Sequence, residues 1–160
     1  MQPGKYRRQA AAKVNLGLAV LTRRGDGFHE VETLMARTHL ADDVIVEVAP
    51  PGTGEGAITL EVVVDAAAGE PPGADTLAAG EDNLMTRAAR AYLAAYRRAA
   101  EAASAVAYAP TVNLTLVKRV PVAAGLGGGS SDAAAVLSAL READAAAQPS
   151  GAALVSAEEL

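Results

Sequence analysis

The chain has 160 residues, a formal net charge of −5 and 51% apolar residues, with one phenylalanine, no tryptophan and no cysteine. This composition predicts one ordinary domain whose core uses small and aliphatic side chains, and it excludes disulfides and thiolate metal sites. The acidic charge argues against nucleic-acid binding, and no apolar run is long enough for a signal peptide or membrane span, so we expect a cytoplasmic protein.

Alternating apolar residues predict strands in the first third of the chain. Residues 14–20 alternate between apolar and smaller or polar side chains, and residues 31–37 follow a turn at residues 24–27, so we expect two strands here. The same alternation places Lys13 and Asn15 on one face of the first strand.

Two runs of β-branched residues, 44–48 and 58–64, predict further strands. The turn sequence at residues 50–52 separates them, which predicts that these two strands pair with each other in antiparallel fashion. Apolar residues at helical spacing then predict a helix over residues 84–103, with Asp82 as its N-cap.

A strand, a glycine-rich segment and a helix follow in direct succession. Residues 111–118 alternate again and predict a strand, and Pro121 ends it. Residues 121–133 read PVAAGLGGGSSDA, with four glycines in five positions before the helical pattern of residues 134–140. Glycine allows close backbone approach to a ligand, and the first amides of a helix are unpaired at its positive dipole end. The order predicts a phosphate-binding cradle, with a merely flexible loop as the alternative.

Two familiar nucleotide motifs do not fit this segment. The Walker motif requires lysine after its last glycine, but Gly129 is followed by Ser130. The dinucleotide motif would begin at Gly125, yet its third glycine falls on Ser130 and no clean strand with an acidic tip follows. A P-loop NTPase is therefore excluded, and a Rossmann domain is weakly supported.

The glycine-rich segment resembles the ATP-binding motif of the GHMP small-molecule kinases. The matching residues are Pro121, Val122, Ala123, Ala124, Gly125, Leu126, Gly127, Gly128, Gly129, Ser130 and Ser131. Residues 12–16 (AKVNL), 24–29 (RGDGFH) and 81–84 (EDNL) narrow the resemblance to the 4-diphosphocytidyl-2-C-methylerythritol kinases of that superfamily.

The resemblance implies an α+β fold of the ribosomal protein S5 domain 2-like type, an antiparallel sheet with helices packed on one face. It implies that residues 1–160 form the N-terminal ATP-binding domain and that the family's C-terminal domain is absent. The segment that carries the family's catalytic aspartate is also absent from the sequence. We therefore expect the chain alone to be inactive, and to expose apolar surface that favours association.

The activity implied by the resemblance is ATP-dependent phosphorylation of the 2-hydroxyl of 4-diphosphocytidyl-2-C-methyl-D-erythritol in non-mevalonate isoprenoid biosynthesis, with Mg²⁺. Lys13 would lie beside the accepting hydroxyl and the γ-phosphate, and Asn83 would lie near the adenosine. Asn15, Phe28 and His29 would bind this small-molecule substrate. Phe28 would stack on the cytosine, at a position where the family more often has tyrosine.

Each candidate residue also has a simpler interpretation. Lys13 would be an ordinary solvated lysine, and Phe28 would fill the core as the only phenylalanine. Ser130, Ser131 and Asn83 would cap helices.

The remaining charges and functions stay open at this point. Lys118 and Arg119 would either steer phosphates or be ordinary strand-end charges. Asp132 would be favourable in a first helical turn on dipole grounds alone, so we do not assign it as the catalytic base. The alternative functions are another GHMP kinase, acting on mevalonate-type, homoserine or sugar substrates, and a non-catalytic nucleotide-binding fragment.

Overall fold

The computed structural model describes residues 1–50, 56–65, 71–73, 77, 80–103 and 110–156. These residues form one four-stranded sheet and two helices, which confirms the α+β class. In chain order the elements are β1 (Gly4–Arg23), β2 (His29–Val48), β3 (Ile58–Val64), α1 (Leu84–Ala102), β4 (Val112–Lys118) and α2 (Gly128–Ala145).

The first two strands form one long antiparallel hairpin. Its register runs from the pair Gly4 and Val48 to the pair Arg23 and His29 at the tip. The predicted strands 14–20 and 31–37 are its outer half, and the run 44–48 is the end of β2 rather than a separate strand. Three register shifts interrupt the ladder, and the first lies between Ala11 and Lys13.

The sheet order corrects one prediction. The strands lie in the order β1-β2-β4-β3, so β4 separates β2 from β3 and the expected antiparallel pair of runs 44–48 and 58–64 is wrong. β3 pairs with β4 in parallel, so the sheet is mixed rather than wholly antiparallel. The parallel pair requires a crossover connection between β3 and β4, which includes α1, and β-branched composition carries no information about which strands become neighbours. Residues 51–52 of the predicted turn lie outside the described residues.

Both helices share a core with one face of the sheet, as expected. Alternate residues of β2 and β4 are buried because successive side chains of a strand point to opposite faces. This core contains small and aliphatic side chains together with two tyrosines; its central members are Val44, Val46, Val48, Tyr92, Tyr96, Val112, Leu114, Leu116, Val136 and Leu140. The start of α2 lies against the middle of β1, where Ser131 bonds to Ala11, and against the end of β4, where Lys118 bonds to Asp132.

Candidate functional site

The glycine loop, which we define as residues 121–127, joins β4 directly to α2. Gly125 and Gly127 have φ angles of 73° and 72°, a region that favours glycine. Gly127 is the N-cap of α2, and no side chain caps the helix there. The first amides of α2 are therefore available to an anion at the positive end of the helix dipole, as the sequence predicts.

A cavity of about 370 Å³ lies along one side of the glycine loop, and we call it the loop cavity. It is lined by residues 82–84 and 121–130 together with Leu77, Leu116, Lys118 and Asp132. Its volume falls within the range of small-molecule sites. All the candidate ATP-binding residues except Ser131 line this cavity, which gathers Asn83 and the loop into one place.

Lys13 lies against the glycine loop through both its backbone and its side chain. The register shift after Ala11 frees its amide, which donates to the Leu126 carbonyl at 2.9 Å. Its ammonium donates to the Gly125 carbonyl at 2.8 Å and to Asn15 Oδ1 at 3.5 Å. Lys13 is half-buried and bonded to the loop, which argues against its interpretation as an ordinary solvated lysine. Lys13 and Asn15 share one strand face, as predicted.

A second cavity of about 470 Å³, the strand cavity, lies next to Lys13. Its lining residues are Ala11, Lys13, Met35, Ala36, Arg37, Gly127, Ser130 and Ser131. Gly127 and Ser130 line both cavities, so the start of α2 separates them. Arg37 is a residue that the sequence analysis missed, because only the register of β1 with β2 places it opposite Lys13.

Of the polar residues expected to cap helices, Asn83 does so, whereas Ser130 and Ser131 do not. Asn83, not Asp82, is the N-cap of α1, and its Oδ1 accepts from the Met85 amide at 2.9 Å. Ser130 and Ser131 are not N-caps, because both lie within α2. The Ser131 hydroxyl donates to the Ala11 carbonyl at 2.9 Å, which joins α2 to β1.

Phe28 and His29 lie at the tip of the hairpin, away from the glycine loop. Along β1, ten residues separate Lys13 from Arg23, which pairs with His29, so the span is about 33 Å at most at about 3.3 Å per residue. The Phe28 side chain is 73% exposed, so the alternative that it fills the core is wrong. The structure does not bring these two residues together with Lys13.

A buried ion cluster behind the glycine loop was not expected. The Lys118 ammonium lies 2.5 Å from Asp42 Oδ2 and 3.2 Å from Asp132 Oδ2, and the three side chains are at most 3% exposed. Lys118 is therefore not an ordinary strand-end charge. Burial raises the pKa of the Asp132 carboxyl to about 7; Asp42 adds to the rise and Lys118 opposes it. In β4 every second residue is buried, and Lys118 occupies one of these positions. A lysine at such a position is the sequence signal that could have revealed the cluster.

Asp132→Asn is expected to change how stability depends on pH. The folded protein binds the proton of Asp132 more tightly than an unfolded chain does. The contribution of Asp132 to the free energy of unfolding therefore falls as pH rises from about 4 to about 7. The asparagine variant lacks that loss, so its stability relative to the wild type should improve by up to about 4 kcal/mol between pH 4 and pH 8. Urea denaturation at several pH values measures this, with Asp43→Asn as the control. Parallel curves for the wild type and the Asp132 variant would contradict the expectation.

The described residues were also searched for metal-ligand groups and for helices that could span a membrane. No group of three or more His, Cys, Asp or Glu side chains there is placed to hold a metal ion. None of the helices in the same residues is long and apolar enough to cross a membrane.

Comparison with known proteins agrees with this geometry. The family model for the GHMP kinases N terminal domain matches residues 83–156, which include Asn83, the glycine loop and α2. Over these residues the chain is similar to the N-terminal domains of GHMP kinases. A crystal structure of a 4-(cytidine 5′-diphospho)-2C-methyl-D-erythritol kinase is similar to this chain with a TM-score of 0.53 and 40% identity, over 85% of this chain and 40% of that one.

Curated relatives of this chain carry the same name. A 4-diphosphocytidyl-2-C-methyl-D-erythritol kinase of Deinococcus radiodurans is 45% identical over 83% of this chain and 36% of its own length. The kinases of that name from Thermus thermophilus and Rhodospirillum rubrum are 41% and 40% identical, over 84% and 94% of this chain and 38% and 42% of their own lengths. The chain thus spans about two fifths of the length of these relatives.

Proposed function

We propose that the chain binds ATP and contributes to a kinase that phosphorylates the 2-hydroxyl of 4-diphosphocytidyl-2-C-methyl-D-erythritol in the cytoplasm. The observation that carries this proposal is the contact of Lys13 with a glycine loop that opens a helix. The shared name of the relatives supports the choice of acceptor. We further propose that residues 1–160 form one domain, and that this chain alone does not turn over substrate.

A triphosphate would lie where the glycine loop meets α2, because two glycines there pack closely against lysine side chains. A Cβ at Gly127 would lie 3.1 Å from Lys13 Cγ, and a Cβ at Gly128 would lie 3.1 Å from Lys118 Nζ. Residues 125–131 would hold the phosphates, largely through amides, while residues 121–124 and Asn83 would line the nucleoside. When bound, ATP supplies the phosphoryl group and Mg²⁺ neutralises phosphate charge. The phosphates themselves would hold most of the Mg²⁺, since the described residues offer no metal cluster.

Lys13 would stabilise charge that develops between the two cavities. An ammonium has three protons, and two of them already point to Gly125 and Asn15. These bonds hold the ammonium at the loop, where the remaining proton can be donated to a phosphoryl or acceptor oxygen. No carboxylate of the described residues forms an ion pair with Lys13, which is consistent with the proposal that this chain alone does not turn over substrate.

The acceptor would lie along the hairpin, from the strand cavity towards the tip. Asn15 would hydrogen-bond the substrate near the reacting hydroxyl, because it shares a strand face with Lys13. The exposed Phe28 ring would stack on the cytosine, and His29 would bind the edge of the base. A cytidine diphosphate ester is an elongated ligand, which would extend from the middle of β1 towards the tip of the hairpin.

A chimera tests this function directly. This chain would replace the matching segment of the Deinococcus radiodurans relative, to which it is 45% identical. We expect ATP-dependent phosphorylation of the cytidyl substrate and, by comparison, at least about 100-fold lower kcat/KM with homoserine or mevalonate. Equal activity on homoserine would contradict the acceptor. Turnover by the purified 160-residue chain, lost in Lys13→Ala, would contradict its proposed inactivity.

A further inference from the structure

Asp42, Lys118 and Asp132 form a cluster that the proposed chemistry does not use, and we call it the loop clamp. Asp42 lies on β2, Lys118 is the last residue of β4, and Asp132 lies near the start of α2. All three are buried, and Lys118 bonds to both carboxylates. The clamp therefore connects three elements directly behind the glycine loop.

The bonds of the clamp reach both ends of the glycine loop. Asp42 Oδ1 accepts from the amides of Arg119 and Val120, at 2.6 and 2.8 Å, so it fixes the two residues that enter the loop. Lys118 crosses to Asp132, on the helix that leaves the loop, and its ammonium lies under Gly128. The entrance and the exit of the loop are thus joined by one ammonium.

We propose that Asp42, Lys118 and Asp132 are positioning residues, which hold the glycine loop in its anion-binding conformation before the anion arrives. A loop with several glycines has many conformations, and ordering it at the moment of binding lowers affinity. Buried ion pairs add little stability compared with apolar residues of similar volume, so stability alone is a poor explanation for this cluster. The identity of the anion as ATP rests on the proposed function, but the clamp itself does not.

The net charge of the clamp should also affect how strongly the anion binds. Asp132 Oδ1 is buried and has no hydrogen-bond partner among the described residues, and Asp132 lines the loop cavity. The charged groups that face Asp132 are Asp42 on β2 and Lys118 on β4. With both carboxylates ionised the clamp carries a net charge of −1, whereas protonation of Asp132 makes it neutral. ATP should therefore bind more weakly as Asp132 loses its proton.

Hydrogen exchange tests the clamp without any nucleotide. In Asp42→Ala, we expect amide exchange over residues 119–130 to be at least about tenfold faster than in the wild type. Asp43→Ala is the matched control, because the neighbouring Asp43 pairs with Arg119 outside the clamp. If Asp42→Ala does not fold, Asp42→Asn retains an acceptor for the two amides and should still speed exchange in the loop about threefold. Unchanged exchange over residues 125–130 in the folded variant would overturn the proposal.

Calorimetric titration with ATP at pH 6 and pH 8 is the second measurement. We expect the wild type to bind about tenfold more weakly at pH 8, and Asp132→Asn to lose most of this pH dependence. A merely structural role would weaken binding equally at both pH values, so equal pH dependence in the two proteins would count against the clamp. Failure of the wild type to bind ATP at all would contradict the proposed function. The hydrogen-exchange result would still show whether the clamp holds the glycine loop in place.

Discussion

Lys13→Met in the chimera is expected to lower kcat for phosphoryl transfer by about 10³-fold, with ATP affinity changed by less than about tenfold. In the proposed function, the amides of the glycine loop would hold the ground-state phosphates, whereas the ammonium of Lys13 would act on charge that grows in the transition state. Its side chain is already fixed to the loop by the bond to the Gly125 carbonyl, so little reorganisation precedes the reaction.

The rate of product formation and the affinity for ATP, measured separately, distinguish these effects. Lys5→Met is the matched control, because Lys5 lies on the same strand and forms an exposed ion pair with Glu47. A loss confined to ATP affinity would show that Lys13 binds the nucleotide and does not act on the transferred group.

Gly127→Ala is expected to reduce phosphoryl transfer about 100-fold, and Gly125→Ala by no more than about tenfold. Both glycines have the same left-handed backbone, so alanine costs each of them a similar amount, about 1–2 kcal/mol. The two glycines differ in the room available for a side chain. A Cβ at Gly127 would meet Lys13 Cγ at 3.1 Å and Cε at 3.2 Å, whereas a Cβ at Gly125 would meet nothing within 4 Å.

The pair of variants therefore separates backbone strain from displacement of Lys13. Urea denaturation should give similar losses of stability for both, while kcat should differ. Equal losses of activity would mean that the loop conformation alone matters, and would weaken the assignment of Lys13.

The local parts of the fold and site could be predicted from the sequence. Helix α1 and strand β4 were placed within one residue of their ends, because their apolar periodicity is regular. The glycine loop and its helix were found because a left-handed N-cap without a side chain requires glycine at that point. The contact of Lys13 with the loop was reached only through the resemblance, since nothing local to β1 indicates it.

Non-local features were missed for a physical reason. Strand order depends on which chain segments cross over, so the parallel pairing of β3 with β4 leaves no mark on their composition. The loop clamp joins residues 76 and 14 positions apart in the sequence, and each looks ordinary in its own segment. A buried lysine becomes visible as unusual only when its two carboxylates are placed beside it.

The outer half of the β1–β2 hairpin has little core of its own. Leu16, Leu18 and Val20 are more than half exposed, as are Val31 and Leu34 on the facing strand. A segment with so few buried contacts opens at a lower free energy than the clamped loop, so it should behave as a separate cooperative unit. The proposed cytosine-binding residues lie on this unit, and the proposed ATP-binding residues lie outside it. Acceptor preference could then change through substitutions in the hairpin while the phosphate donor remains the same.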